Sequence, residues 1–267
     1  MKKLLAVLGT LLLVVGLLTP ALAYEITVYD GKSDAGFYHG AQEYAETEPG
    51  TQTGPLWDIG GLFIQNNTKT LYVVTGFDPQ VGPNNSAEFR MGDLFIKTTG
   101  VPAPLDTLGS GINATVANSA FGIYDYVVGT GTSSESAALG GSAYRLVGAD
   151  TVLTAQGTAV DRSNPWVVAS FTSNPVAAAV NFSNGSLTED DVANGIGTEL
   201  MRQAGYQWIS YNLGFLGNDF GKAYVHVTMR CGNDDGDGKV PVPPSVLLLG
   251  SGLLGVGLLR FRRKNAA

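Results

Sequence analysis

Cysteine is nearly absent: Cys231 is the only one in 267 residues, which excludes an intrachain disulfide in any compartment. A single thiol leaves three uses: a link between two chains, a tether for a prosthetic group, or a small half-buried residue near the end of a strand. Histidine is almost as scarce. His39 and His226 are the only two, so any histidine-based triad or zinc site must draw on one of them. The sequence contains no G-x-S-x-G, no H-E-x-x-H, no Walker loop and no paired-cysteine motif. The chain is therefore expected not to be an enzyme, with His39 in "GFYHGAQEY" the one residue left open.

Basic charge is thin in the middle of the chain. Of 16 Lys and Arg residues, Lys2, Lys3, Arg260, Arg262, Arg263 and Lys264 lie in the two end segments, which hold no acidic residue. The span between them keeps 10 basic against 23 acidic side chains, a net charge of −13. Such a surface repels phosphate backbones, which excludes nucleic acid as a partner and favours cations or an uncharged polymer such as polysaccharide.

Long apolar runs are likewise confined to the ends. Residues 1–23 read as a basic start, an apolar stretch over 4–18, Pro20, and then Ala21-Leu22-Ala23. This is the pattern of a secretory signal peptide, with Ala21 and Ala23 at the small-residue positions before a cut at Tyr24. At the other end, residues 246–259 are apolar apart from Ser251, contain four glycines, and are followed by Arg260, Arg262, Arg263 and Lys264. Fourteen residues are short for a bilayer span, and a buried core helix can have that length. This run has no polar face, however, and its basic end would hold it on the cytoplasmic side, with long side chains extending the span.

Between the ends the chain reads as strands. "DIGGLFIQ" (58–65) and "TLYVVTG" (70–76) flank "NNTK" and predict a hairpin. Further β-rich runs are "MGDLFIK", "FGIYDYVVG", "AYRLVG", "PWVVASF", "YQWISYNLGF" and "KAYVHVTMR". Eight or nine strands with Gly-, Asn- and Pro-rich breaks predict an all-β fold, a single antiparallel β-sandwich or jelly-roll-like domain. In the last strand Val225, Val227 and Met229 alternate with Tyr224, His226 and Thr228, which predicts that His226 faces solvent. One stretch, "SLTEDDVANGIGTELMRQAG", predicts a helix with Ser186 and Glu189 at capping-box spacing; Gly195 and Gly197 make an acidic surface loop the alternative.

Two groups of residues invite chemistry. In "NDDGDGKV", Asn233, Asp235 and Asp237 fall at positions 1, 3 and 5 of a calcium loop with Gly238 at position 6, but position 12 is Pro244 instead of the bidentate Glu. Apart from this calcium site no cofactor is expected, and a solvated acidic linker accounts for the same letters. Glu43, Glu46, Glu48 and Asp58 could supply paired carboxylates for a glycosidic bond. Trp57, Trp166 and Trp208 are expected in the core or at strand edges, with a sugar-stacking platform as the alternative.

The proline motif Pro241-Val242-Pro243-Pro244, the Gly-rich apolar run and the arginine-rich finish resemble the PEP-CTERM sorting signal, the substrate tail of exosortase; the same tail has also been labelled an ice-binding protein C-terminal domain. Val242 stands where that family has Glu, although proline-rich variants without the Glu occur in related signals. "WDIGGLFI" (57–64), "GDLFIKT" (92–98), "YDYVV" (124–128), "SNPW" (163–166) and "HVTMRCGND" (226–234) resemble the β-rich ectodomains that carry this tail. The resemblance implies export through the inner membrane, transient anchoring, cutting by an exosortase-like enzyme, and a cell-surface or extracellular place beside exopolysaccharide and biofilm. The expected organisation is a signal peptide at 1–23, a β-sandwich at 24–232, an acidic and Pro-rich linker with the sorting motif at 233–243, and a transmembrane anchor with basic tail at 244–264. Expected partners are the membrane, the processing enzyme and polysaccharide. The expected function is that of a non-enzymatic surface or matrix protein; a carbohydrate-binding module, with or without calcium, comes second and a glycan-active enzyme third.

Overall fold

The computed structural model describes residues 23–30, 32–33, 36–37, 54–85, 90–100, 115–121, 124–130, 141–153, 166–172, 175–177, 182–230 and 234–240. Among these the architecture is all-β, with antiparallel sheets and few, short helices.

One sheet has the spatial order β1 (Tyr24–Glu25), β5 (Gly61–Gln65), β6 (Thr70–Thr75), β15 (Gln207–Asn212), β14 (Phe182–Ser186). A second runs β13 (Pro175–Ala177), β10 (Ala143–Arg145), β9 (Tyr126–Val128), β7 (Leu94–Lys97), β16 (Tyr224–Thr228), β17 (Asp235–Lys239), β2 (Thr27–Asp30). A third joins β12 (Val167–Ser170), β11 (Thr151–Leu153) and β8 (Thr115–Ala117), and a small ribbon pairs β3 (Lys32–Ser33) with β4 (Gly36–Phe37). The expected hairpin is β5 with β6, paired from Gly61↔Val74 to Gln65↔Thr70 around the turn at 66–69.

Period-two alternation assigns each strand's side chains to two faces. Leu62, Ile64, Leu71, Val73, Ile209 and Tyr211 of the five-stranded sheet pack against Leu94, Ile96, Val128, Val225 and Val227 of the seven-stranded one, and form the main core. The intervening residues build further layers. Phe63 and Val74 pack outward under Leu187, Ile196, Met201 and Tyr206, the segment that carries two short helices, α1 (Glu189–Ala193) and α2 (Glu199–Gln203). Phe95, Val127 and Tyr144 pack away from the main core against Val152 and Val168 of the third sheet. The seven-stranded sheet is thus covered on both faces.

The expected single helix over 186–205 is divided. Its capping box is formed by Thr188 and Asp191, two residues later than the Ser186–Glu189 spacing implied, because Ser186 is still in β14. Gly195 and Gly197 take positive φ and separate α1 from α2, whose N-cap is Thr198.

Candidate functional site

Two adjacent strands, β16 and β17, meet beside the second core. β17 reads Asp-Gly-Asp-Gly-Lys, and Gly and Asp are both depleted from strands. It nevertheless pairs with β16 over five positions, including Thr228↔Asp235 and His226↔Asp237, and with β2 on its other edge. Its two faces are sharply different. A β-carbon on Gly238 would meet Leu62 Cδ1 at 2.8 Å and Ile26 at 3.1 Å, and one on Gly236 would meet Ile59 at 3.2 Å, so the glycine face lies flush on the main core. The aspartates project from the opposite face, where His226 and Phe95, register partners across the β16–β7 ladder, also project.

This geometry overturns three sequence expectations. His226 is wholly buried instead of solvent-facing, because a third sheet covers the face that two-sheet packing would leave wet. Asp235–Lys239 is an interior strand, so the folded body extends through Val240 and these residues are not a solvated linker. Extended backbone also cannot form the tight turn of a calcium loop, and Asn233 lies outside the described residues.

Instead, the strand pairing brings Asp235 and Asp237 to His226. The His226 Nδ1 and Asp237 Oδ1 atoms are 2.9 Å apart. One ligand atom from each of His226, Asp235 and Asp237 lies within 4.8 Å of the others, an arrangement that can hold a metal ion. All three residues are buried, Asp237 retaining 3% exposure. The rings of Tyr124 and Phe95 lie 6.1 and 6.4 Å from the imidazole, centroid to centroid. Burial, and then the Asp237 charge, push the Tyr124 hydroxyl well above the ordinary phenol range. A site so enclosed can share a proton or hold an ion; a polymer substrate cannot reach it without opening the sheet.

The remaining buried acids accept from backbone N–H groups or, for Asp58, from a buried hydroxyl. Asp93 accepts from the N–H groups of Thr130 and Val168, and Asp150 from those of Val147 and Thr172. Asp234 accepts from Ile59 N–H, and Asp58 from the Tyr206 hydroxyl. Asp93, Asp150 and Asp234 thus satisfy backbone N–H groups, and Asp58 a buried phenol. Asp58 is therefore a buried structural acceptor, while Glu43, Glu46, Glu48 and His39 lie outside the described residues. Trp166 is buried with Val167, Trp57 packs half-buried on the main core, and Trp208 sits half-buried on the outer face of the five-stranded sheet, edge-on to Tyr72 at 5.6 Å.

Of the sorting and anchor residues, Ala23 alone is described: it is buried, and its N–H donates to the Asn194 carbonyl at 2.7 Å. Ala21, Cys231, Pro241, Val242, Pro243, Pro244, Arg260, Arg262, Arg263 and Lys264 lie outside the described residues. Among the described residues no helix is long and apolar enough to cross a membrane. No protein-family model, curated protein or solved structure matches the chain.

Proposed function

We propose that the chain is an exported surface or matrix protein, a β-sandwich ectodomain that acts without catalysis beside extracellular polysaccharide. In this proposal a leader at 1–23 is removed, and an apolar tail with a basic end anchors the protein until an exosortase-like enzyme cuts near Pro241–Pro244. One observation carries it. Among the described residues the first strand starts at Tyr24, where the leader should end, and the last stops at Lys239, with Val240 buried directly before the proline motif. Strands from these two ends, β2 and β17, pair with each other, so residues 24–240 close on themselves. Export in a host that carries such a processing enzyme should yield a mature chain that begins at Tyr24 and lacks the residues beyond the motif. Neutralising Arg260, Arg262, Arg263 and Lys264 should impair retention and cutting. An intact mass, unchanged by those substitutions, would overturn the proposal.

A second function, sugar binding, is favoured by the half-exposed Tyr72 and Trp208 pair, which gives the five-stranded sheet an aromatic outer face. A glycan array separates the two: saturable binding that Trp208→Ala abolishes identifies a lectin.

A further inference from the structure

We propose that His226, Asp235 and Asp237 bind one divalent cation of the zinc and manganese class, built into the ladder between β16 and β17 and independent of how the chain is sorted.

The frame is rigid. His226 and Asp237 are register partners and Asp235 is two residues along the same strand, so all three side chains leave one face of one sheet. Their ligand atoms already lie within 4.8 Å of one another. Small rotations bring such atoms to about 2.0–2.2 Å from a shared ion.

The composition and position of β17 point to a ligand independently. A strand of aspartate and glycine holds an interior place between β16 and β2, with four of its five residues buried. Glycine lets one face lie tight on Ile26, Ile59 and Leu62, where a β-carbon on Gly238 would meet Leu62 at 2.8 Å and one on Gly236 would meet Ile59 at 3.2 Å. Nothing in packing requires aspartate on the other face, which enters a layer with Phe95 and Tyr124. Two carboxylates held close together in a dry interior repel each other and oppose folding. One divalent cation neutralises them.

The donor set selects the cation. One imidazole nitrogen with two carboxylate oxygens suits zinc, manganese or cobalt. Calcium takes about six to eight oxygens, whereas the neighbours found against the imidazole are aromatic rings.

The test uses the full chain without a histidine tag, purified in mild detergent and stripped with a chelator. Equilibrium dialysis should find one zinc per chain lost when the ligands are changed, with affinity at least about tenfold lower in His226→Gln and in Asp237→Asn. Zinc or manganese should raise the unfolding temperature, and equal calcium or magnesium should not. In chelator, Asp235→Asn and Asp237→Asn should be at least as stable as the wild type, since each removes one of two carboxylates brought together in the interior. Cobalt bound to the wild type should show ligand-field bands that zinc displaces, an answer that does not depend on whether His226→Gln folds. The proposal is overturned by a wild type without saturable uptake, by zinc uptake that persists in the Asp235→Asn/Asp237→Asn double variant, or by a calcium response equal to that of zinc.

Discussion

Gly92 marks a tight join between the backbones of Trp166 and Thr228. A β-carbon there would stand 2.0 Å from the Trp166 carbonyl oxygen and 3.0 Å from that of Thr228. Neither neighbour can yield, because the Trp166 oxygen accepts from Asp93 N–H at 2.6 Å and the Thr228 oxygen from Gly92 N–H at 2.8 Å. Gly92→Ala should cost about 1–3 kcal/mol or more, read from the urea midpoint; a wild-type midpoint would show that the join relaxes freely. Tyrosine is sensitive to pH at the same scale. Burial, followed by the charges of Asp237 for Tyr124 and of Asp93 for Tyr211, raises both hydroxyls above the ordinary phenol range. Below about pH 10 these phenols are neutral in both folded and unfolded chains, so the folded state loses nothing. Above it the unfolded chain releases protons that the folded chain retains, so stability falls as pH rises. Tyrosinate absorbance should therefore rise in two phases, the second coinciding with loss of the strand signal in circular dichroism. A single reversible phase with the fold intact would contradict this.

β17 carries the described sheet to Lys239. It fills the gap between β16 and β2, its glycines rest on Leu62 and Ile26, and the Asp234 carboxylate just before it holds Ile59 N–H. A chain ending at Val240 should fold, whereas one ending at Arg230 should not, because β2 and β16 would lose their shared neighbour and the main core its cover. Circular dichroism and thermal unfolding of the two truncations check this. Equal folding of both would return Asp235–Lys239 to the status of a tether. The strand was legible in the letters, since Asp-Gly-Asp-Gly repeats with period two and places both carboxylates on one face. Propensity obscured it: glycine and aspartate read as turn and loop, and the packing that overrides that preference comes from residues about 175 positions away in sequence.

At the scale of the molecule, acidity is divided between surface and interior. Asp58, Asp93, Asp150, Asp234, Asp235 and Asp237 are buried, and the span between the end segments carries a net charge of −13. Self-repulsion of this size opposes the compact state and is screened by salt over a Debye length of about 10 Å at 0.1 M. The urea midpoint of the metal-free protein should therefore rise with sodium chloride. A midpoint that stays flat or falls would place the acidic side chains in compensating pairs.

The sequence by itself determined the all-β class and the β5–β6 hairpin, because each depends on local signals: period-two alternation and turn residues. The tertiary structure alone decided which alternating face is buried. The "YVHVT" of β16 alternates as a strand with one wet face would, and only the third sheet, closed by pairings far apart along the chain, turns that face into a second core. His226 meets Asp235 and Asp237 for the same reason. Their proximity is a matter of register between two strands, and register is set by what the glycines of β17 can lie against, not by the aspartates themselves.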